Sequence, residues 1–124
     1  MSAPILKQGD VLIASIQSML SDQDLIDLRE AFAEQVGRYR SRGIVIDVTA
    51  LDVLDSFATR TLRAIAYTAR LRGAHAVVVG IQPEVAFAMV QLGLTLDDVA
   101  TALDLEEGLE HLASIRRGGA QHEL

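Results

Sequence analysis

GIVIDVT, residues 43–49, predicts a strand in the middle of a sheet. Apolar side chains fill nearly every position, which is typical of a strand covered on both faces. A helical pattern follows from about Thr59, so the segment between them joins a strand to a helix. We expect Ser56 to lie at this junction and to cap the first helical amides with its hydroxyl.

Patterns on both sides of this strand alternate between strand and helix. Upstream, Gly9-Asp10 lies between two short apolar runs and predicts a hairpin. A helix over about 22–39 follows, and we expect Gly43 to end it. Downstream, the patterns predict a helix from about Thr59, a strand at 76–79, a helix over 83–92, an edge strand at 101–103 and a helix over 104–115.

This order predicts an α/β fold with a small, mixed, mostly parallel sheet of four to five strands and about four helices. The chain has 124 residues, which suits a single domain. We expect that domain to span 1–117, and residues 118–124, which have no apolar periodicity, to form a flexible tail.

Composition excludes several function classes. A net charge of −6 argues against general nucleic-acid binding, which depends on clustered cations. No apolar run approaches the ~18 residues that a membrane span needs, and no signal-peptide pattern opens the chain. The absence of cysteine fits a reducing compartment, so we expect a cytoplasmic protein. No glycine-rich phosphate loop is present, and no cofactor or metal is expected.

Three carboxylates near the junction raise the possibility of aspartate chemistry. Asp47, Asp52 and Asp55 are close enough in sequence to bind a divalent metal or to accept a phosphoryl group. That chemistry also wants an acidic pair after the first strand and a lysine after a later one, and this chain supplies neither. Capping of turns and helix starts is the favoured interpretation of these carboxylates.

A nucleophilic role for Ser56 would need a nearby base, usually a histidine or lysine. His75 precedes a strand, His111 lies on the last predicted helix, and His122 lies in the tail. None is placed beside Ser56, and the surrounding residues do not form a Gly-x-Ser-x-Gly elbow. The sequence therefore favours a protein that is not an enzyme.

Phosphorylation of Ser56 is the third interpretation. A phosphate at a helix start faces amide groups and the positive end of the helix dipole, so the domain should tolerate it. Arg60, one turn further on, is expected within reach of the phosphate. Phe57 is either a partner anchor or a core residue, and both remain open. Arg60, Arg63 and Arg70 form a basic stripe that is either a solvated face or a docking surface for an acidic partner.

Over about residues 4 to 115, the chain resembles the STAS domain family of anti-sigma-factor antagonists, and more narrowly its RsbS-type stressosome scaffolds. The motifs carrying this resemblance are PILKQGD (4–10), ALDVLDSF (50–57), VVVGIQPEVA (77–86), LGLTL (92–96), TALDLE (101–106) and GLE (108–110). Each is weak alone, whereas the set is specific in this order and spacing.

The resemblance implies a non-catalytic scaffold that assembles with STAS-domain sensor paralogues and holds a serine/threonine switch kinase inactive. The kinase is expected to phosphorylate Ser56 and to leave. The resemblance implies partner contacts at the flanking residues, which are Asp55, Phe57, Thr59, Arg60 and Arg63. It also implies a homodimer or higher oligomer. Ala88 stands where some relatives carry a second hydroxyl residue. The alternative within this family is a direct anti-sigma-factor antagonist regulated by serine phosphorylation.

Overall fold

The fold comes from a computed structural model, which describes residues 4–122, with side chains up to Ile115. One five-stranded sheet has the strand order β1-β2-β3-β4-β5. The strands are β1 (Ile5–Gln8), β2 (Val11–Ser15), β3 (Gly43–Asp47), β4 (His75–Val79) and β5 (Ala100–Ala102). The helices are α1 (Asp22–Tyr39), α2 (Ser56–Leu71), α3 (Pro83–Gln91) and α4 (Leu105–His122). The predicted α/β architecture is confirmed.

The sheet is mixed because it begins with the predicted hairpin. β1 runs antiparallel to β2, with Gln8 opposite Val11 across the turn. Gly9 has a φ of 61°, a left-handed conformation that glycine adopts without steric cost. All the other pairings are parallel, as expected where helices connect the strands.

Side chains alternate between the two faces of the sheet. On one face, Leu12, Ile44 and Val78 join the main core cluster, which also contains buried residues of α1, α2 and α3. On the other face, Val45 and Val77 pack in a second cluster with Leu112 of α4. β3 is thus covered on both sides, as its sequence predicts.

The first helix has well-defined ends. Ser21 caps α1 by accepting a hydrogen bond from the Asp24 N–H at 3.0 Å, and the Asp24 carboxylate accepts in return from the Ser21 N–H. The prediction that Gly43 ends this helix is wrong. Arg40 ends it in a left-handed conformation with φ 51°, whereas Gly43 opens β3, where an added Cβ would lie 2.8 Å from Leu112 Cδ1.

The last helix is longer than the sequence predicts. α4 continues to His122, beyond the end expected near Ile115. The predicted flexibility of 118–124 falls on residues whose side chains lie outside the described part of the chain, so it stays a prediction, as does the domain boundary at 117. Within the residues that the structure describes, no helix combines the length and apolarity needed to cross a bilayer.

Candidate functional site

Ser56 is the first residue of α2, and its side chain is exposed. It lies beyond the carboxyl end of β3, after the connecting loop over 48–55. The sequence prediction placed Ser56 at the cap and the helix start near Thr59, and both assignments are wrong. Asp55 is the cap, because its Oδ1 accepts a hydrogen bond from the Ala58 N–H at 2.7 Å. The Ser56 hydroxyl is therefore not needed to cap α2.

The backbone of Asp55 is held by the helix that it caps. The Asp55 carbonyl accepts from the Thr59 N–H at 2.9 Å and also from the Thr59 hydroxyl at 2.9 Å. Thr59 itself is only 2% exposed. Thr59 therefore stabilises the first turn of α2 and is too buried for the partner contact that the resemblance implies.

Two amides remain at the start of α2. Among residues 4–122, no acceptor bonds the N–H of Ser56 or of Phe57, as expected for the first positions of a helix. These donors, together with the helix dipole, favour an anion on the Ser56 side chain. The Asp55 carboxylate leaves both of these amides unbonded, because it accepts from the Ala58 N–H instead.

Exposed apolar side chains flank this helix start. Met19 is 61% exposed and Val53 is 53% exposed, and both line a small apolar cleft with Asp55 and Ala58. Phe57 is half-buried, between the two roles that the sequence left open. Sequence patterns missed Met19 and Val53, because both lie in loops that have no periodicity.

The nearby carboxylate of Asp47 accepts the hydrogen bonds of a local turn. Its Oδ1 accepts from the Thr49 N–H at 2.9 Å and from the Thr49 hydroxyl at 2.6 Å. The Thr49 carbonyl accepts in turn from Gln82 Nε2 at 2.7 Å, which ties this loop to the start of α3. The interpretation of Asp47 as a turn-capping carboxylate is confirmed. Within the described residues, no three histidine or acidic side chains converge on a possible metal position.

His75 and His111 lie away from Ser56. His75 opens β4 and is therefore at the opposite end of the parallel strands from the start of α2. His75 and His111 line the same groove, whereas the side chain of His122 lies outside the described residues. The pKa of His75 is lowered from its usual value of 6.5 by burial and by the nearby charges of Arg70 and His111.

The basic stripe is exposed, as both of its interpretations require, so a solvated face and a docking surface remain open. Arg60, Arg63 and Arg70 all lie on the outer face of α2, and Tyr67 between them is 67% exposed. The structure adds a groove of about 750 Å³ beside them, completed by β4 and α4. Sequence patterns did not reveal this groove, because its walls are far apart in the chain.

Comparison with known proteins gives one consistent family. The family described as STAS domain matches residues 2–108. Among solved structures, a serine-to-glutamate variant of RsbS from Moorella thermoacetica is 38% identical, with a TM-score of 0.80 over 93% of this chain and 97% of that one. A second solved structure describes the molecular architecture of the stressosome, a signal integration and transduction hub. One of its chains is 40% identical, with a TM-score of 0.78 over 92% of this chain and 99% of that one.

A curated relative is longer than this chain. The RsbT co-antagonist protein RsbRA of Bacillus subtilis is 26% identical over 111 residues, which are 89% of this chain. The aligned part spans only 40% of that protein.

Proposed function

The chain belongs to the STAS domain family, and we propose that it is a non-catalytic stressosome scaffold that binds a serine/threonine kinase and releases it when Ser56 is phosphorylated. The observation that carries this proposal is the exposed hydroxyl of Ser56 on the first turn of α2. Similarity to an RsbS protein and to a stressosome chain supports the scaffold role. A cytoplasmic location and assembly with STAS paralogues belong to the same proposal.

Phosphorylation at this position suits the domain itself. A phosphoserine adds nearly two negative charges and three strong acceptors. The unbonded amides of Ser56 and Phe57 lie at the positive end of α2, and Arg60 is one turn further on. The helix start thus offsets the new charge, so the fold should remain intact.

A bound partner would experience the same phosphate differently. We infer that the kinase covers the apolar surface formed by Met19, Val53 and the exposed part of Phe57, beside Ser56. Closing that surface over a phosphate would remove water from a charge that the partner does not pair. Asp55 next to it adds a like charge. The complex should weaken at least about tenfold, which corresponds to ~1.4 kcal/mol.

The test measures affinity for the serine/threonine kinase of the same organism by titration calorimetry. Ser56→Ala should bind like the unmodified protein, and Ser56→Asp should bind at least about tenfold more weakly. Ser114→Asp is the matched control, since it adds the same charge to an exposed serine on α4. Equal affinity of Ser56→Asp and Ser56→Ala would refute the release mechanism.

Two further measurements address the remaining parts of the proposal. Incubation with the kinase and labelled ATP should label the unmodified protein but not Ser56→Ala. Solution mass with co-expressed STAS paralogues should show a particle far larger than a dimer. Capture of an anti-sigma factor in place of the kinase would favour the alternative role of direct antagonist.

A further inference from the structure

The groove beside α2 combines positive charge with an apolar lining, and Ser56 does not line it, although Arg60 borders both the groove and the start of α2. We call it the α2–α4 groove. Its walls are the outer face of α2, from Arg60 to Arg70, and the α4 residues His111 and Ile115. Its floor is the beginning of β4, and its volume is about 750 Å³.

The groove exists because the last strand is short. β5 pairs only with residues 77–79 of β4, so His75 and Ala76 have no β5 residue opposite them. α2 lies on one face of the sheet and α4 on the other. Asp98 and Val99 precede β5 and line the groove together with the half-buried His75 and Ala76, so the channel between the two helices lies where the pairing of β4 with β5 has not yet begun.

The channel is positively charged. Three guanidinium groups line it, against one carboxylate, that of Asp98. Among the described side chains, no carboxylate forms an ion pair with Arg60, Arg63 or Arg70. This local excess of cations contrasts with the net charge of −6 of the whole chain.

The spacing of the arginines selects the shape of the ligand. Arg60 and Arg70 are ten residues apart on one helix, which at 1.5 Å per residue separates them by about 15 Å. A single phosphate contacts guanidinium groups within ~3 Å, so it would bridge Arg60 and Arg70 only if both long side chains turned toward each other. An extended peptide rises ~3.3 Å per residue, so about five residues cover the distance.

We propose that the α2–α4 groove binds an extended acidic segment of a partner protein. Its carboxylates would pair with Arg60, Arg63 and Arg70 on the α2 wall, and its alternate apolar side chains would face the opposite wall and pack on Ile115. Tyr67 lies between the arginines and is 67% exposed, so its ring borders the carboxylate side of the segment. A long nucleic acid is disfavoured, because its phosphates extend beyond the groove and meet the acidic remainder of the chain, whereas a short segment keeps its carboxylates at the arginines.

The test uses a fluorescent nine-residue peptide of alternating glutamate and valine, whose carboxylates share one side when extended. Its counterpart has glutamine in place of glutamate. Anisotropy titration with the full chain at low salt should show at least tenfold tighter binding of the glutamate peptide. The double variant Arg63→Glu with Arg70→Glu should remove most of this difference.

A matched variant separates the groove from overall charge. Arg38→Glu with Arg42→Glu makes the same change of charge at exposed positions outside the groove and should bind the glutamate peptide like the unmodified protein. Circular dichroism and urea midpoints verify that both double variants are folded. A peptide bound at the groove should also raise the pKa of His75, because it brings carboxylates close to the imidazole. The other charged or titratable groups around that imidazole are Arg70, His111 and Asp98. The pKa is followed by the NMR chemical shift of His75.

Three results would overturn the inference. One is equal binding of the glutamate and glutamine peptides. Another is equal loss of binding in the two double variants, which would indicate general electrostatic attraction. The third is tighter binding of an eight-nucleotide single strand or of inorganic pyrophosphate than of the peptide. Neither the kinase nor phosphorylation enters this experiment, so its failure is distinct from failure of the proposed Ser56 switch.

Discussion

Replacing Asp55 should destabilise the domain, whereas replacing its neighbour Ser56 with alanine should not. The Asp55 carboxylate accepts from the Ala58 N–H at 2.7 Å and is the cap of α2. Loss of an N-cap acceptor typically costs about 1 kcal/mol of unfolding free energy. Loss of a negative charge at the positive end of the helix adds about 0.5 kcal/mol. We therefore expect Asp55→Ala to lose about 1.5 kcal/mol, the sum of the two effects.

Two companion variants separate these contributions. Asp55→Asn keeps an acceptor oxygen and removes only the charge, so it should lose about 0.5 kcal/mol. The Ser56 side chain makes no hydrogen bond within the described residues, so Ser56→Ala should change stability by less than about 0.5 kcal/mol. The two bonds that Thr59 donates to the Asp55 carbonyl involve the backbone of Asp55 and persist in every variant.

Urea unfolding followed by circular dichroism measures these differences. The slope of unfolding free energy against urea should be the same for all four proteins, so that the midpoints report stability directly. The expected order of stability is the unmodified protein and Ser56→Ala together, then Asp55→Asn, then Asp55→Ala. A larger loss for Ser56→Ala than for Asp55→Ala would refute the assignment of Asp55 as cap and restore Ser56 to that role.

Three further measurements test other parts of the structure. Gly108→Ala should destabilise the domain by about 1 kcal/mol or more, because the added Cβ would lie 2.6 Å from Val79 Cγ1. This loss is expected even though alanine has the better helix propensity. Gly37→Ala should be nearly neutral, since its Cβ meets only the end of a flexible arginine side chain. Similar urea midpoints for these two variants would contradict the tight packing of α4 on β4. Stability should fall as pH drops below about 6.5, since the neutral form of His75 is favoured in the fold and the unfolded chain binds the proton more readily. His75→Gln should flatten that dependence, and an unchanged slope would assign it to other groups. Ser56→Asp should keep the unfolding free energy within about 0.5 kcal/mol of the unmodified protein, because the helix dipole offsets repulsion from the cap; a clear loss of the folded signal would contradict tolerance of a phosphate.

Local sequence patterns determined most of the fold. The hairpin around Gly9, the covered strand β3 and the amphipathic face of α1 all follow from runs or periods of a few residues. Such patterns depend only on neighbours in the chain, so a single sequence reveals them. They also placed Ser56 near the start of a helix. The predicted helix begins near Thr59 and the observed one begins at Ser56, a difference of three residues.

The tertiary structure decided which side chain caps that helix. Both Asp55 and Ser56 are good capping residues, and the backbone path of the loop selected Asp55. It also brought Met19 and Val53 together beside the cap. The α2–α4 groove depends on the shortness of β5 and on helices from opposite faces of the sheet. Contacts between residues so distant in sequence leave no local period, which is why only the folded chain shows them.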